Sequence, residues 1–124
     1  MSERQTILIV EDDEDLRRLF RTALALAGYD VIDAGDGLEA LQRIEEAPPH
    51  LVVLDLMLPG FSGVMVRQEL AAHAFTRHIP VVVITGSDVP DDLDVNCVLR
   101  KPITIEELIA TIRTCLASQA GGAV

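Results

Sequence analysis

The sequence predicts an α/β fold: a parallel β-sheet of five strands, doubly wound, with helices on both faces. Three observations carry this reading. Short runs rich in Val, Leu and Ile recur, too brief for helices and without the alternation of a strand that has one wet face. Between them lie segments in which apolar residues return every three or four positions. The two kinds of segment alternate along the chain, which implies βαβ units with right-handed crossovers.

Thr6-Ile-Leu-Ile-Val10 reads as the first strand, and five acids, Glu11 to Asp15, follow it. Asp13 is placed to cap a helix, where acids in the first turn suit the helix dipole. Leu16, Leu19, Phe20, Ala23 and Ala27 form its expected apolar stripe, and Gly28 is its stop. Tyr29 to Ala34 is a second strand. Asp36 and Glu39 have capping-box spacing ahead of a helix carrying Leu38, Leu41 and Ile44, which Pro48 and Pro49 close. Leu51-Val-Val-Leu-Asp55 is a third strand, buried on both faces, that ends abruptly in an acid. Pro59, Gly60 and Gly63 force a loop after it, and Ser62 caps a helix with Val66 and Leu70. Ile79 to Ile84 is the fourth strand, ending in Thr85 and Gly86. Ser87 to Val95 is rich in Asp, holds a Pro and predicts a loop. Cys97 to Leu99 is a short fifth strand. Thr104 and Glu107 form a capping box for a last helix with Leu108, Ile109, Ile112 and Leu116 inward. Residues 1–124 are expected to be one domain, with 118–124 a frayed tail.

Composition narrows the function. Hydrophobic residues make up 49% of 124, enough for a real core, while aromatics make up only 3%. A formal charge of −10 disfavours direct contact with nucleic acid or an anionic membrane surface. No apolar run reaches membrane-spanning length and no secretory leader is visible, so a cytoplasmic location is expected. Cys97 and Cys115 are too few for a disulfide framework, and reduced thiols are the expectation.

Five alternating strands suggest the flavodoxin-like order 2-1-3-4-5. In that order the first and third strands are neighbours. Glu11, Asp12 and Asp55 then meet in one crevice at the C-terminal ends of the strands, where open α/β sheets place their sites. An isolated acid at a strand end is ordinarily a polar residue reaching solvent, but three converging acids are not isolated. Clustered carboxylates repel unless something positive joins them, so an empty site is expected to cost stability. A hard cation such as Mg²⁺ suits such a cluster. Thr85 and Lys101 close two further strands at the same edge. Lys101 is the chain's one lysine. Its ammonium there can bind a phosphoryl oxygen or pair with Asp55.

At these residues the chain resembles the receiver domain of bacterial response regulators. The matching stretches are Ile9-Val-Glu-Asp12, Asp55-Leu-Met-Leu-Pro-Gly-Phe-Ser-Gly63, Thr85-Gly86 and Lys101-Pro102. Each is weak alone; all of them in order, each at the end of the right strand, are specific. The resemblance covers roughly residues 5 to 117. It implies that Asp55 is a phosphoacceptor for a phosphohistidine on a sensor histidine kinase or phosphotransfer protein. It implies Mg²⁺ held by Asp12 and Asp55, by Glu11 through water, and by the backbone carbonyl of Met57. Thr85 would hydrogen-bond the phosphoryl group, Lys101 would pair with it, and the Lys101–Pro102 bond would be cis. Phosphorylation would switch binding to a downstream protein that the sequence does not name. Such a domain assists only its own phosphorylation and dephosphorylation and is otherwise not an enzyme.

The chain departs from the family pattern in three places. Val98 stands where receivers usually place Tyr or Phe. The spacing from Thr85 to Lys101 leaves the helix between the fourth and fifth strands shortened or missing, and would give the role of readout to the loop after Gly86. No output domain is expected after Leu116, and a stand-alone receiver is the expectation. Other readings compete. A metal-dependent phosphatase of the haloacid dehalogenase type would use an Asp-x-Asp pair, and Asp13 and Asp15 have that spacing, but past the strand. A flavodoxin-like cofactor carrier needs a phosphate loop where this chain has five acids. A receiver-like scaffold that no longer signals would not need the acceptor, metal acids, Thr85 and Lys101 together.

Overall fold

The protein's structure is a computed structural model that describes residues 4–86 and 97–122. Strands β1 (Thr6–Val10), β2 (Asp30–Ala34), β3 (Leu51–Asp55), β4 (Val81–Thr85) and β5 (Cys97–Arg100) form one sheet in the order 2-1-3-4-5. Every pairing is parallel. The described helices are α1 (Glu14–Leu26), α2 (Gly37–Glu46), α3 (Gly63–Ala72) and α4 (Ile105–Gly122). The stretch 87–96 lies outside the described residues. The expectations of a shortened or missing helix and of a readout loop both fall there.

The apolar runs are explained by burial on both faces. Each position of β3 and β4 is buried. Side chains alternate across a strand. Leu8, Val10, Val52, Leu54, Val81 and Val83 therefore pack with Ala40 and Ile44 of α2 and with Val66 and Leu70 of α3. Ile7, Ile9, Leu51, Val53, Val82 and Ile84 pack on the other face with Phe20 and Leu24 of α1 and with Leu108 and Ile112 of α4. Burying one such aliphatic side chain contributes about 1.5–3 kcal/mol. Edge strand β5 differs: Cys97 and Leu99 are half-buried toward the α1/α4 layer, while Val98 and Arg100 are exposed.

Local chemistry starts the helices where the sequence places them. The Leu16 N–H donates to Asp13 Oδ1 at 3.0 Å and the Glu39 N–H to Asp36 Oδ1 at 2.8 Å. Ser62 Oγ accepts from Met65 N at 3.2 Å, and Thr104 Oγ1 from Glu107 N at 3.0 Å. Each cap contributes about 1 kcal/mol. Glu39 reaches back one residue further than a capping box does, accepting from Gly35 N at 2.8 Å.

Two expectations are corrected. Leu19 is 52% exposed, and Leu24 takes the core position beside Phe20. Those two are one i,i+4 pair, and Leu19 is rotated off their line. Leu38 is 61% exposed, because the inward line of α2 runs through Ala40 and Ile44. The backbone of α4 runs to Gly122. Ala117-Ser-Gln-Ala120 contains no helix breaker, and the first is the Gly121-Gly122 pair.

Parallel strands point their C-terminal ends the same way. The topology therefore delivers Glu11, Asp55, Thr85 and Lys101 to a single edge of the sheet.

Candidate functional site

β1 and β3 are adjacent, with Val10 opposite Leu54. The residues just past that pair thus become neighbours. Carboxylate oxygens of Glu11, Asp12 and Asp55 lie within 4.8 Å of one another. Glu11 is 2% and Asp55 4% exposed, while Asp12 faces solvent. Backbone bonds continue the sheet under the site: Glu11 N donates to Ala34 O at 3.1 Å, Leu56 N to Ile84 O at 3.3 Å and Lys101 N to Thr85 O at 2.9 Å. The loop after β3 folds tightly back onto the strand end. A Cβ at Gly63 would meet the Asp55 carbonyl oxygen at 2.3 Å and Leu56 Cα at 2.6 Å, so only glycine fits there. Gly60, at φ +68°, makes the preceding turn.

Lys101 is the cation of this crevice. Its Nζ donates to Asp55 Oδ2 at 2.8 Å and to Glu11 Oε1 at 3.1 Å. The second partner goes beyond the expected pairing with Asp55. It also corrects the expectation of an uncompensated empty site, because two of the three acids share an ammonium. The remaining carboxylate oxygens are held too: Asp55 Oδ1 accepts from Met57 N at 2.9 Å, and Glu11 Oε2 from Asp13 N at 3.1 Å. Burial pushes the Glu11 carboxyl above its usual value and the Asp55 charge adds to this, against the hydrogen bonds from Asp13 and Lys101. For Lys101, burial acts downward, but the hydrogen bonds and charges of Asp55 and Glu11 outweigh it and leave the ammonium above its usual value. The Lys101–Pro102 peptide is cis.

The other expected residues are placed as follows. Thr85 is fully buried at the end of β4, and its carbonyl receives the Lys101 N–H. The Met57 side chain is exposed at the lip of the crevice. Asp13 caps α1, the local role its place in the sequence suggests. One supporting residue is not evident from the sequence. Arg17 of α1 donates Nη1 to the Glu11 carbonyl at 2.9 Å and Nε to Asp33 Oδ2 of β2 at 3.1 Å. Only the helical position of Arg17, one turn past Asp13 and facing the strand ends, hints at it.

Residues 7–113 match the family model described as the response regulator receiver domain. The chain is 39% identical over 120 residues to the uncharacterized transcriptional regulatory protein YkoG of Bacillus subtilis (strain 168), covering 92% of this chain and 52% of that protein. It is 34% identical over 118 residues to the polar-differentiation response regulator DivK of Brucella ovis, covering 90% of this chain and 96% of DivK. The chain thus spans about half the length of one relative and nearly all of the other. In fold it is similar to a CheY-like receiver domain protein from Methanospirillum hungatei JF-1, with a TM-score of 0.89 at 24% identity over 97% of this chain and 99% of that one. Among the described residues no helix is long and apolar enough to cross a membrane. The chain belongs to the response regulator receiver domain family of two-component signalling.

Proposed function

We propose that Asp55 accepts a phosphoryl group from a phosphohistidine on a sensor histidine kinase or phosphotransfer protein. The observation that carries this is the presentation of its carboxylate. One oxygen is held by the Met57 N–H and the other by the Lys101 ammonium, in a crevice shared with two more acids. Phosphoryl transfer needs positioning and charge neutralisation more than covalent help. In the step itself, an Asp55 oxygen forms a P–O bond as the donor's P–N bond breaks. The electron pair stays on the imidazole nitrogen, which takes a proton from solvent.

The donor set fits Mg²⁺: three carboxylates from β1 and β3 converge, all of them hard oxygen ligands, and one lysine leaves the group of acids net negative. Asp12, Asp55 and the Met57 carbonyl would hold the ion, with Glu11 behind them. When bound, Mg²⁺ would neutralise charge on phosphoryl oxygens. Lys101 would exchange its contact with Asp55 for one with the phosphoryl group, and Thr85 would turn its hydroxyl toward it. Phosphorylation would then switch a protein–protein contact, which fits a signalling module better than an enzyme with turnover.

The test is incubation with Mg²⁺ and a small-molecule phosphodonor, read by intact mass and peptide mapping. One phosphoryl group on Asp55 is expected, lost in Asp55→Asn and on chelation of Mg²⁺. Equal labelling of Asp55→Asn and the parent overturns the assignment.

A further inference from the structure

The chain's two cysteines lie away from the acid crevice but next to each other. Cys97 opens β5 and Cys115 sits in α4, and both belong to the α1/α4 side of the core. Their Sγ atoms are 3.1 Å apart. The two positions differ in access: Cys97 is half-buried, whereas Cys115 is buried. Burial pushes the Cys115 thiol up to about 12, and the adjoining Cys97 sulfur adds to this. Cys115 is thus a protonated and shielded thiol, reached through its neighbour. Cys97 is the sulfur that a reagent in solution meets first.

We propose that Cys97 and Cys115 form an oxidisable dithiol that closes to an intramolecular disulfide when a peroxide or a low-molecular-weight disulfide is supplied. With hydrogen peroxide, the Cys97 sulfur attacks one oxygen and the O–O bond breaks. One water leaves with the thiol proton, and Cys97 becomes a sulfenic acid. The Cys115 sulfur then attacks the Cys97 sulfur, the S–O bond breaks, and a second water carries off the remaining proton. Two thiols lose two electrons in total and one peroxide gains them. With a small disulfide as oxidant, the Cys97 sulfur forms a mixed disulfide and expels one thiol, and Cys115 expels the second. The sulfurs must approach from 3.1 Å to the bond length of about 2.05 Å, a movement of about 1 Å for two side chains already in contact.

The bond would tie an edge strand to the helix packed on it. Among the described strands, β5 pairs only with β4. A Cys97–Cys115 link would give β5 a covalent hold on α4 and close the segment that carries Lys101. The chemistry is independent of the phosphoacceptor reading, since the two sulfurs contact each other while Asp55, Glu11 and Lys101 bond among themselves and to nearby backbone.

The experiment uses the full chain, reduced and then exposed, folded, to hydrogen peroxide or oxidised glutathione. Free thiols are then alkylated under denaturing conditions, and the products are read by intact mass and non-reducing peptide mapping. The expected product is a monomer lighter by two hydrogens, unalkylated, with the peptides containing Cys97 and Cys115 joined. Asp55→Asn should close as fast as the parent, which separates this result from any failure of phosphorylation. In Cys115→Ala, oxidised glutathione should leave Cys97 as a stable glutathione adduct. Full alkylation of both cysteines in the parent overturns the proposal. So does a parent that stops at the glutathione adduct, or one that forms a disulfide-linked dimer in place of the internal bond.

Discussion

Two clusters of charge flank β1, and they are built with opposite stoichiometry. At the ends of β1 and β3, two acids share one cation: Lys101 lies 2.8 Å from Asp55 and 3.1 Å from Glu11, with Asp12 beside them. Between α1 and β2, one acid shares two cations: Asp33 lies 3.1 Å from Arg17 and 3.4 Å from Arg21. Glu11 and Asp55 are almost wholly buried, whereas the side chain of Asp33 keeps 23% of its exposure. Buried acid in excess of base is unstable by itself and favours a further cation. A partly solvated acid with two guanidiniums is already satisfied. The first arrangement suits a site that binds and releases charge, the second a brace. Arg17 connects them through its hydrogen bond to the Glu11 carbonyl.

The comparison breaks most visibly at Lys101. Lys101→Met strands two buried carboxylates, and a loss of about 3 kcal/mol in urea unfolding at neutral pH is expected. The folded-state pKa of Lys101 lies above the ordinary 10.5. Its stabilisation is therefore fully present below pH 10.5 and is lost as pH rises through the higher folded value. The parent should lose stability on an alkaline limb above pH 10.5, and Lys101→Met should lack that part. A variant as stable as the parent at neutral pH would make the first cluster a brace like the second.

Mg²⁺ sharpens the same contrast with a smaller effect. At a concentration tenfold above its Kd, an ion that binds only the folded chain stabilises it by about 1.4 kcal/mol. Asp12→Asn should shrink that response in thermal unfolding. Asp12 is exposed, so the metal-free protein should change little. No Mg²⁺ response in the parent would remove the cation-seeking character assigned to the acid-rich cluster.

These clusters also show which parts of the molecule are legible from sequence. Strands β3 and β4 are legible because burial on both faces demands an unbroken apolar run. Caps are legible because Asp13, Asp36, Ser62 and Thr104 act within three residues of themselves. The meeting of Glu11, Asp12 and Asp55 follows from strand order, which alternation alone suggests. What escapes is any contact set by how elements rotate on one another. Lys101 reaches Glu11 across 90 positions, and Arg17 reaches Asp33 across 16. Whether Leu19 or Leu24 turns inward depends on the roll of α1 against the sheet, which the spacing of apolar residues leaves open. The contact of Cys97 with Cys115 likewise needs β5 and α4 docked in their final register.

Arg17 tests whether the brace serves the site. Arg17→Met removes the ion pair to Asp33 and the donor to the Glu11 carbonyl, and a loss of about 1 kcal/mol is expected. A purely structural brace would lower stability and leave the Mg²⁺ response intact. A positioning role requires that the Mg²⁺-induced rise in Tm also shrink, because Glu11 would no longer be anchored from α1. Asp33→Asn is the control: it weakens the ion pair but leaves the hydrogen bond to Glu11 in place, and it should lower stability with the Mg²⁺ response unchanged.

Arg21 should have the smallest effect. Its guanidinium contacts Asp33 at 3.4 Å, and its side chain is 56% exposed. Exposed pairs of this kind contribute little, because water and salt screen them and ordering the side chain costs entropy. Arg21→Ala leaves Asp33 its shorter contact with Arg17. The expected loss is below about 0.5 kcal/mol and vanishes at high salt. Urea unfolding at low and high ionic strength measures both. A salt-independent loss above about 1 kcal/mol would mean that Asp33 needs both arginines. The second cluster would then be a coupled network as demanding as the first, and the distinction between site and brace would rest on burial alone.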